Sequence, residues 1–402
     1  MSAFHKKGGR RSNERRGRGW GTIKKQAIVS SMILLVFFVM VIQLSLVPSN
    51  MNGRDSNNRL TIPMSPDLVF KAKGELEPRS NDMLWPMLLQ EGNALRKESQ
   101  DQNIVVNVME VGMHRAIQCV EAARMGLQAY CVEPSPGSKD RIIEGIEKEP
   151  EEVKKNIRFF QMAAGSQSGV DLSFQSGGGT GDHAGPSLNI WKMEKTKETQ
   201  TGMTEVTVKS VAIDDIIDNK VDPTNDYAGK GSEEKAHQQQ LDKMFLLKVD
   251  TQGFEPSVFS GLTKSIEGHK IDFIITEYWP KGINLMNDAE GECVKPVEML
   301  KLLAENDYTL YPKTNISHPK APEDARMILN DPEKNWIRYD DIVEHCKFFF
   351  DVERKFPSDE YKMGYWTDIL AVAPNARLPK VPSTDLGVLL QNNLKSPAED
   401  NK

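Results

Sequence analysis

What this 402-residue chain has little of narrows it first. Its four cysteines, Cys119, Cys131, Cys293 and Cys346, form no Cys-x-x-Cys pair and no metal-ligand spacing. That excludes zinc ribbons and thioredoxin-type redox motifs. Cys119 and Cys131 fall where a helix and a strand are expected, so buried free thiols are the simplest expectation for them. The sequence alone cannot pair the four. No Gly-Lys-Ser or Gly-Lys-Thr follows any glycine-rich stretch, so there is no P-loop. Asp-x-Asp occurs nowhere, which counts against the metal-dependent glycosyltransferases that use it. Nor is there a strong overall charge: the formal net charge is −6.

That average hides an asymmetry. Residues 1–26 hold nine Lys/Arg and one Glu, a local charge of +8, which leaves −14 for the rest. A basic tail alone points to nucleic acid or to an anionic membrane. The next segment decides for the membrane and against nucleic acid. Residues 27–47 (AIVSSMILLVFFVMVIQLSLV) are 21 residues without a charge, long enough to cross a bilayer's hydrocarbon core as a helix. The run exceeds the about 7–15 apolar residues of a signal peptide, and Ser45-Leu-Val-Pro-Ser49 is a poor cleavage site. An uncleaved anchor is therefore expected. Basic residues on its N-terminal side predict a single-pass type II orientation, with the mass of the chain in the ER or Golgi lumen or outside the cell. Asn315-Ile-Ser317 is a glycosylation acceptor that suits this topology.

The composition divides the remainder. Residues 48–80 are polar, contain four prolines and read as a flexible stem. Residues 81–375 read as the folded domain, and 376–402 as a loose tail. Within the domain, Ile104–Val111 is a strand-length apolar run followed by Gly112. A helical pattern through Gly126, a strand at 127–132 and the acid Glu133 come next. Further strands are expected at 157–164, 170–174, 204–211, 244–249, 271–275, 308–311 and 368–372, with helices between them at 81–98, 138–148, 212–217, 251–266 and 297–305. Alternation of this kind predicts an α/β domain with a mostly parallel sheet and helices on both faces. The Ser176–Pro186 stretch holds five glycines and reads as a mobile loop carrying Asp182 and His183. Residues 219–242 are charged and Gln-rich, and read as an exposed insertion.

The order of short motifs resembles one family. Val108-Met-Glu-Val-Gly112, Cys131-Val-Glu-Pro134, Gln161-Met-Ala-Ala-Gly165, Ile213-Asp-Asp215, Leu247-Lys-Val-Asp-Thr-Gln-Gly-Phe-Glu255 and Ile274-Ile-Thr-Glu277 follow the sequence of motifs in FkbM-type methyltransferases. The resemblance spans roughly residues 100–372, and the Lys248–Glu255 block is its most specific part. It implies a class I, Rossmann-like methyltransferase fold with a seven-stranded sheet. It also implies S-adenosylmethionine as cofactor and an oxygen acceptor on a glycan or other metabolite.

Ligands of open α/β sheets bind beyond the carboxyl ends of the strands, where the expected site residues fall. Glu110, Gly112, Met113 and Arg115 surround the glycine turn. Glu133 can accept from ribose hydroxyls, and Gln161 with Ala163 can line the adenine. Transfer to a hydroxyl also needs a proton acceptor, for which Asp250, Glu277 and His183 are the candidates, in that order. No metal is required, although Asp250 with Glu277 can hold a hard cation. The turn departs from the family's usual Asp-Val-Gly-Ala-Asn-x-Gly, reading Glu-Val-Gly-Met-His-Arg-Ala over 110–116. In the later block Gln252 stands where Glu is more common. Two other readings stay open: a membrane-anchored glycosyltransferase, and a non-catalytic binding protein on the same fold.

Overall fold

The central strands of the sheet are short, buried, mostly apolar runs, three of which stop at Gly112, Glu133 and Asp250. The computed structural model describes residues 84–99, 105–113, 117–176, 183–184, 204–226, 241, 243–287, 290–313, 336–357 and 364–395. All belong to the second of two units, Glu77–Lys402. The basic tail, the 27–47 anchor, the stem, Arg115, Asn315 and most of the 176–186 and 219–242 loops lie outside the described residues. No helix among the described residues is long and apolar enough to cross a membrane.

The helices are α1 (Leu84–Glu98), α2 (Ile117–Arg124), α3 (Pro136–Glu147), α4 (Glu151–Lys154), α5 (Ile213–Ile217), α6 (Glu255–Ser260), α7 (Thr263–Glu267), α8 (Pro280–Met286), α9 (Val294–Glu305), α10 (Ile342–Lys355) and α11 (Asp385–Lys395). The strands are β1 (Asn107–Val111), β2 (Gln128–Val132), β3 (Ile157–Phe160), β4 (Ala163–Ala164), β5 (Asp171–Ser176), β6 (His183–Ala184), β7 (Thr204–Val211), β8 (Asn225–Asp226), β9 (Met244–Val249), β10 (Ile271–Tyr278), β11 (Thr309–Pro312) and β12 (Thr367–Val372). The main sheet runs β11-β12-β10-β9-β1-β2-β3-β8. The five strands β3, β2, β1, β9 and β10 pair in parallel. β12 enters antiparallel between β10 and β11. Apart from the two-residue edge strand β8, this is the expected seven-stranded, mostly parallel sheet, consistent with a methyltransferase fold. The chain winds outward from β1 to β3, then returns to place β9 on the other side of β1. That reversal opens a crevice between β1 and β9, at the carboxyl ends of both.

Successive strand residues face opposite sides of the sheet, and both sides are filled. Met109, Val111, Leu247, Val249, Ile274 and Tyr278 pack with apolar residues of α6, α7, α8, α9 and α10. Val108, Ala129, Cys131, Leu246, Phe273 and Ile275 pack with those of α1, α2, α3 and α11. Four differences from the expected layout have local causes. The strand expected over 157–164 breaks at Gln161, whose backbone N–H turns to Thr224 Oγ1 at 2.9 Å, and β4 joins β7, β5 and β6 in a separate small sheet. The helix expected to reach Ile266 breaks into α6 and α7 at Gly261. A Cβ there would lie 1.9 Å from the Gly165 carbonyl oxygen, so the close approach requires glycine.

The third difference is at the C-terminus, where the tail expected to be loose contains α11. Thr384 caps this helix, accepting the Gly387 N–H at 2.9 Å. Leu386 and Leu390 are buried against the α1 side. The fully buried Glu91 of α1 receives the Ser383 N–H at 3.0 Å and the Thr384 hydroxyl at 2.6 Å. The fourth concerns cysteine. Cys119 and Cys131 are not free thiols: they form a disulfide between α2 and β2, and a second joins Cys293 to Cys346 at α10. Cα separations of 6.0 and 5.8 Å suit both bonds. No free cysteine remains.

Candidate active site

The site begins where the two halves of the sheet touch. Gly112 adopts a φ of +84°, and its N–H donates to Val132 O at 3.0 Å. A Cβ at this position would sit 1.8 Å from the Asp250 carbonyl oxygen. Asp250 N in turn donates to Val111 O at 3.0 Å. The β1 turn and the end of β9 are thus in backbone contact, which only glycine permits.

On the β1–β3 side the candidate residues serve the backbone. Glu110 is buried and its Oε2 accepts the Cys119 N–H at 2.8 Å, capping the start of α2 with a negative charge. Glu133 is buried at the end of β2, and its Oε1 accepts the Ser135 N–H at 2.8 Å. The Ser135 hydroxyl meets that of Ser176 at 3.0 Å, which brings the root of the glycine-rich loop to the end of β2. The Met113 side chain is buried in the apolar layer beside α2, so it offers a ligand only its backbone. Gln161 is half-buried just past β3. Ala163 packs with Phe174 and Val208. Arg115 lies outside the described residues. His183 pairs through its backbone with Gln175, and its side chain also lies outside them.

On the β9–β10 side the side chains serve one another. Gln252 is held at φ +56°. Its Nε2 donates to Asp250 Oδ1 at 2.9 Å and to Glu277 Oε2 at 3.3 Å. Lys248 Nζ lies 3.5 Å from Asp250 Oδ2 and donates to Gln118 Oε1 of α2 at 2.8 Å. A continuous polar chain therefore runs from the first turn of α2 to the end of β10. Beneath it Glu255 is wholly buried. Its Oε1 takes the Thr251 N–H at 2.7 Å and hydroxyl at 3.0 Å, while Oε2 has no hydrogen-bond partner among the described residues. Burial, with a smaller push from the Asp250 charge, raises its pKa to about 7, against the pull of the Thr251 and Glu255 backbone N–H groups. Glu277 keeps a partly exposed edge but sits deep among protein atoms. Desolvation first, then Asp250, Glu255 and Asp368, raise its proton affinity well above that of an ordinary carboxylate, and Lys248 opposes them.

The structure brings Asp250 and Glu277 together. It aligns Glu110, Gly112 and Glu133 along the ends of β1 and β2. Lys248, Gln118, Gln252 and Glu255 were not among the expected site residues. Lys248 had a signal, since it stands two residues before Asp250, a spacing that shares one strand face. The aromatic pair after Glu277 is turned inward. Tyr278 is fully buried, Trp279 is 7% exposed, and Trp279 packs against Gly282. Asp214 and Asp215 are structural: Asp214 accepts the Lys264 and Ser265 N–H groups at the start of α7, and Asp215 accepts from the Ser168 hydroxyl. Among the described residues no three His, Cys, Asp or Glu side chains cluster to hold a metal ion.

The pattern of the methyltransferase FkbM domain matches residues 110–310, half of the chain, from the acid of β1 into β11. The chain belongs to the FkbM methyltransferase family. No curated protein matches it. Membership makes it an S-adenosylmethionine-dependent methyltransferase, and the donor set suits that cofactor. Glu133 lies about 20 residues past the glycine turn, where such folds hold ribose hydroxyls. The Gly112 backbone stands at the switch point, and Gln161 marks the end of β3. The cofactor supplies the electrophilic methyl group. The chain's part is to hold donor and acceptor in line and to take up a proton. The α2 N–H that Glu110 occupies is no longer offered to the cofactor's carboxylate.

Proposed function

We propose that this FkbM methyltransferase transfers a methyl group to an oxygen, on a glycan or another hydroxyl or carboxyl acceptor, at a secretory-pathway membrane. One observation carries the reading: Glu277 stands at the end of β10, tied to Asp250 and raised in proton affinity. A hydroxyl must lose its proton as it is methylated, and the best base titrates near the working pH. An ordinary exposed carboxylate is too weak a base for that. Glu277 is the first candidate, Asp250 its partner, and His183 of β6 a third.

The membrane part rests on sequence. Residues 27–47 would serve as the anchor and the basic tail 1–26 would face the cytosol, leaving residues 81–375 in the ER or Golgi lumen. The two disulfides support an oxidising compartment.

Calorimetric titration of the full-length protein in detergent with S-adenosylmethionine tests the enzymatic reading. Saturable heat is expected, weakened at least tenfold in Glu133→Ala. Absence of heat, with no rise in melting temperature, would leave a binding protein on a methyltransferase fold. Displacement of the cofactor by a sugar nucleotide would favour a glycosyltransferase instead. Protease protection of tags at each end tests the topology, and a cytosolic C-terminus would overturn it.

A further inference from the structure

Gln252 is a neutral side chain tied to both Asp250 and Glu277. It occupies the left-handed region, φ +56°, which costs a non-glycine residue about 1 kcal/mol or more. Gly253 after it is also left-handed, at φ +96°, so the turn demands a positive φ at both positions and only one of them is glycine. Something at 252 therefore offsets the strain, and the side chain supplies it. The amide nitrogen reaches Asp250 Oδ1 at 2.9 Å and Glu277 Oε2 at 3.3 Å. Both carboxylates only accept when ionised, so the NH2 end must face them.

We propose that Gln252 is a positioning residue for methyl transfer: its amide ties Glu277 to Asp250 and fixes the carboxylate that takes the acceptor's proton. The role in catalysis rests on the methyltransferase reading above; the tie itself does not. An amide donor can hold two carboxylates close without adding charge, where a carboxylate at 252 would add a fourth acid to Asp250, Glu255 and Glu277. The acceptor oxygen forms a bond to the methyl carbon, the carbon–sulfur bond of the donor breaks with its electrons going to sulfur, and the hydroxyl proton goes to Glu277. The groups facing Glu277 are Asp250 and Lys248 from β9 and its end, Glu255 from α6, and Asp368 from β12. Lys313 of β11's end pairs with Asp368 at 3.0 Å.

The variants Gln252→Gly and Gln252→Glu test it in the full-length protein in detergent. Glycine relaxes the backbone but removes the amide. Glutamate keeps the length but adds charge. The readout is the infrared carboxylic-acid band of Glu277 as pH is raised, assigned by its loss in Glu277→Gln. It requires neither donor nor acceptor. Losing a hydrogen bond to the charged form raises a carboxyl's proton affinity, and a like charge raises it more. The titration should rise about one pH unit, a tenfold change, in Gln252→Gly, and further in Gln252→Glu. With any acceptor that turns over, kcat should fall about 10²-fold in Gln252→Gly, with the KM for S-adenosylmethionine unchanged. If Gln252→Gly folds and its Glu277 band titrates where the wild type's does, the tie is absent and the proposal fails. If the band shifts but no cofactor binds, the tie stands and the methyltransferase reading fails.

Discussion

The crevice has two sides that use their carboxylates in opposite ways. Glu110 and Glu133, at the ends of β1 and β2, each accept a backbone N–H and fix a helix start or a turn. Asp250, Glu255 and Glu277, on the β9–β10 side, crowd together around one amide and one lysine, and two of them hold protons more tightly than free carboxylates do. One side builds a rigid cradle. The other stores electrostatic strain where a reaction needs a base. Each side also carries its own disulfide, Cys119–Cys131 on the first and Cys293–Cys346 on the second.

The two sides are most vulnerable where they meet. Gly112→Ala would put a methyl 1.8 Å from a backbone oxygen of Asp250 at a φ that side chains rarely adopt. Neither backbone can give way without shifting β1 against β9. The expected loss of stability exceeds about 4 kcal/mol, read by urea unfolding. A midpoint close to wild type would show that the contact is not fixed. The disulfides give the next effect. Cys293–Cys346 closes a separation of 53 residues and Cys119–Cys131 one of 12. By chain entropy their removal, as paired Cys→Ala variants, should cost about 4 and about 3 kcal/mol respectively. The reverse order would mean that unfolded-state entropy does not govern them.

Local pattern carried the fold a long way in this chain. β7 and β9 fall on their expected residues, and β1, β2, β10 and β12 within a few, because the buried strands of the main sheet are nearly unbroken apolar runs and β7 alternates between a wet and a packed face. What pattern missed depended on tertiary partners. Glu91 lies inside α1 and shows no sign that it will receive the Ser383-Thr384 corner that starts α11. Glu110 and Glu133 were legible as acids at strand ends, but not as caps, since a cap depends on where the next helix begins. Met113 occupies a ligand position in the motif, yet its side chain turns into the core. Asp250 and Glu277 are 27 residues apart in sequence, and only the pairing of β9 with β10 shows that Gln252 joins them.

The smallest effect separates the two kinds of carboxylate most cleanly. Glu255 titrates near 7 in the folded protein and near 4.5 in its ordinary state. Between those values the folded chain holds a proton that the unfolded chain has released. Its contribution to stability is therefore complete below about pH 4.5 and is lost as pH rises through about 7, on the order of 3 kcal/mol in all. Glu255→Gln keeps an Oε1 acceptor for the Thr251 N–H and hydroxyl but removes the ionisation. The variant's stability should fall less than the wild type's between pH 4.5 and 7 and should match or exceed it at pH 8. Asp272 and His345 also titrate away from their ordinary values, but they are common to both proteins and cancel in the difference. Glu277 loses the push of the Glu255 charge in the variant, so its own strain above neutrality falls as well and adds to the variant's advantage at pH 8. Parallel curves would show that Glu255 is not the strained acid. On the other side, Glu110→Gln should lose about 1 kcal/mol at neutral pH, because there the charge itself stabilises the start of α2. The same change, charge to amide, would then be favourable at one end of the crevice and unfavourable at the other.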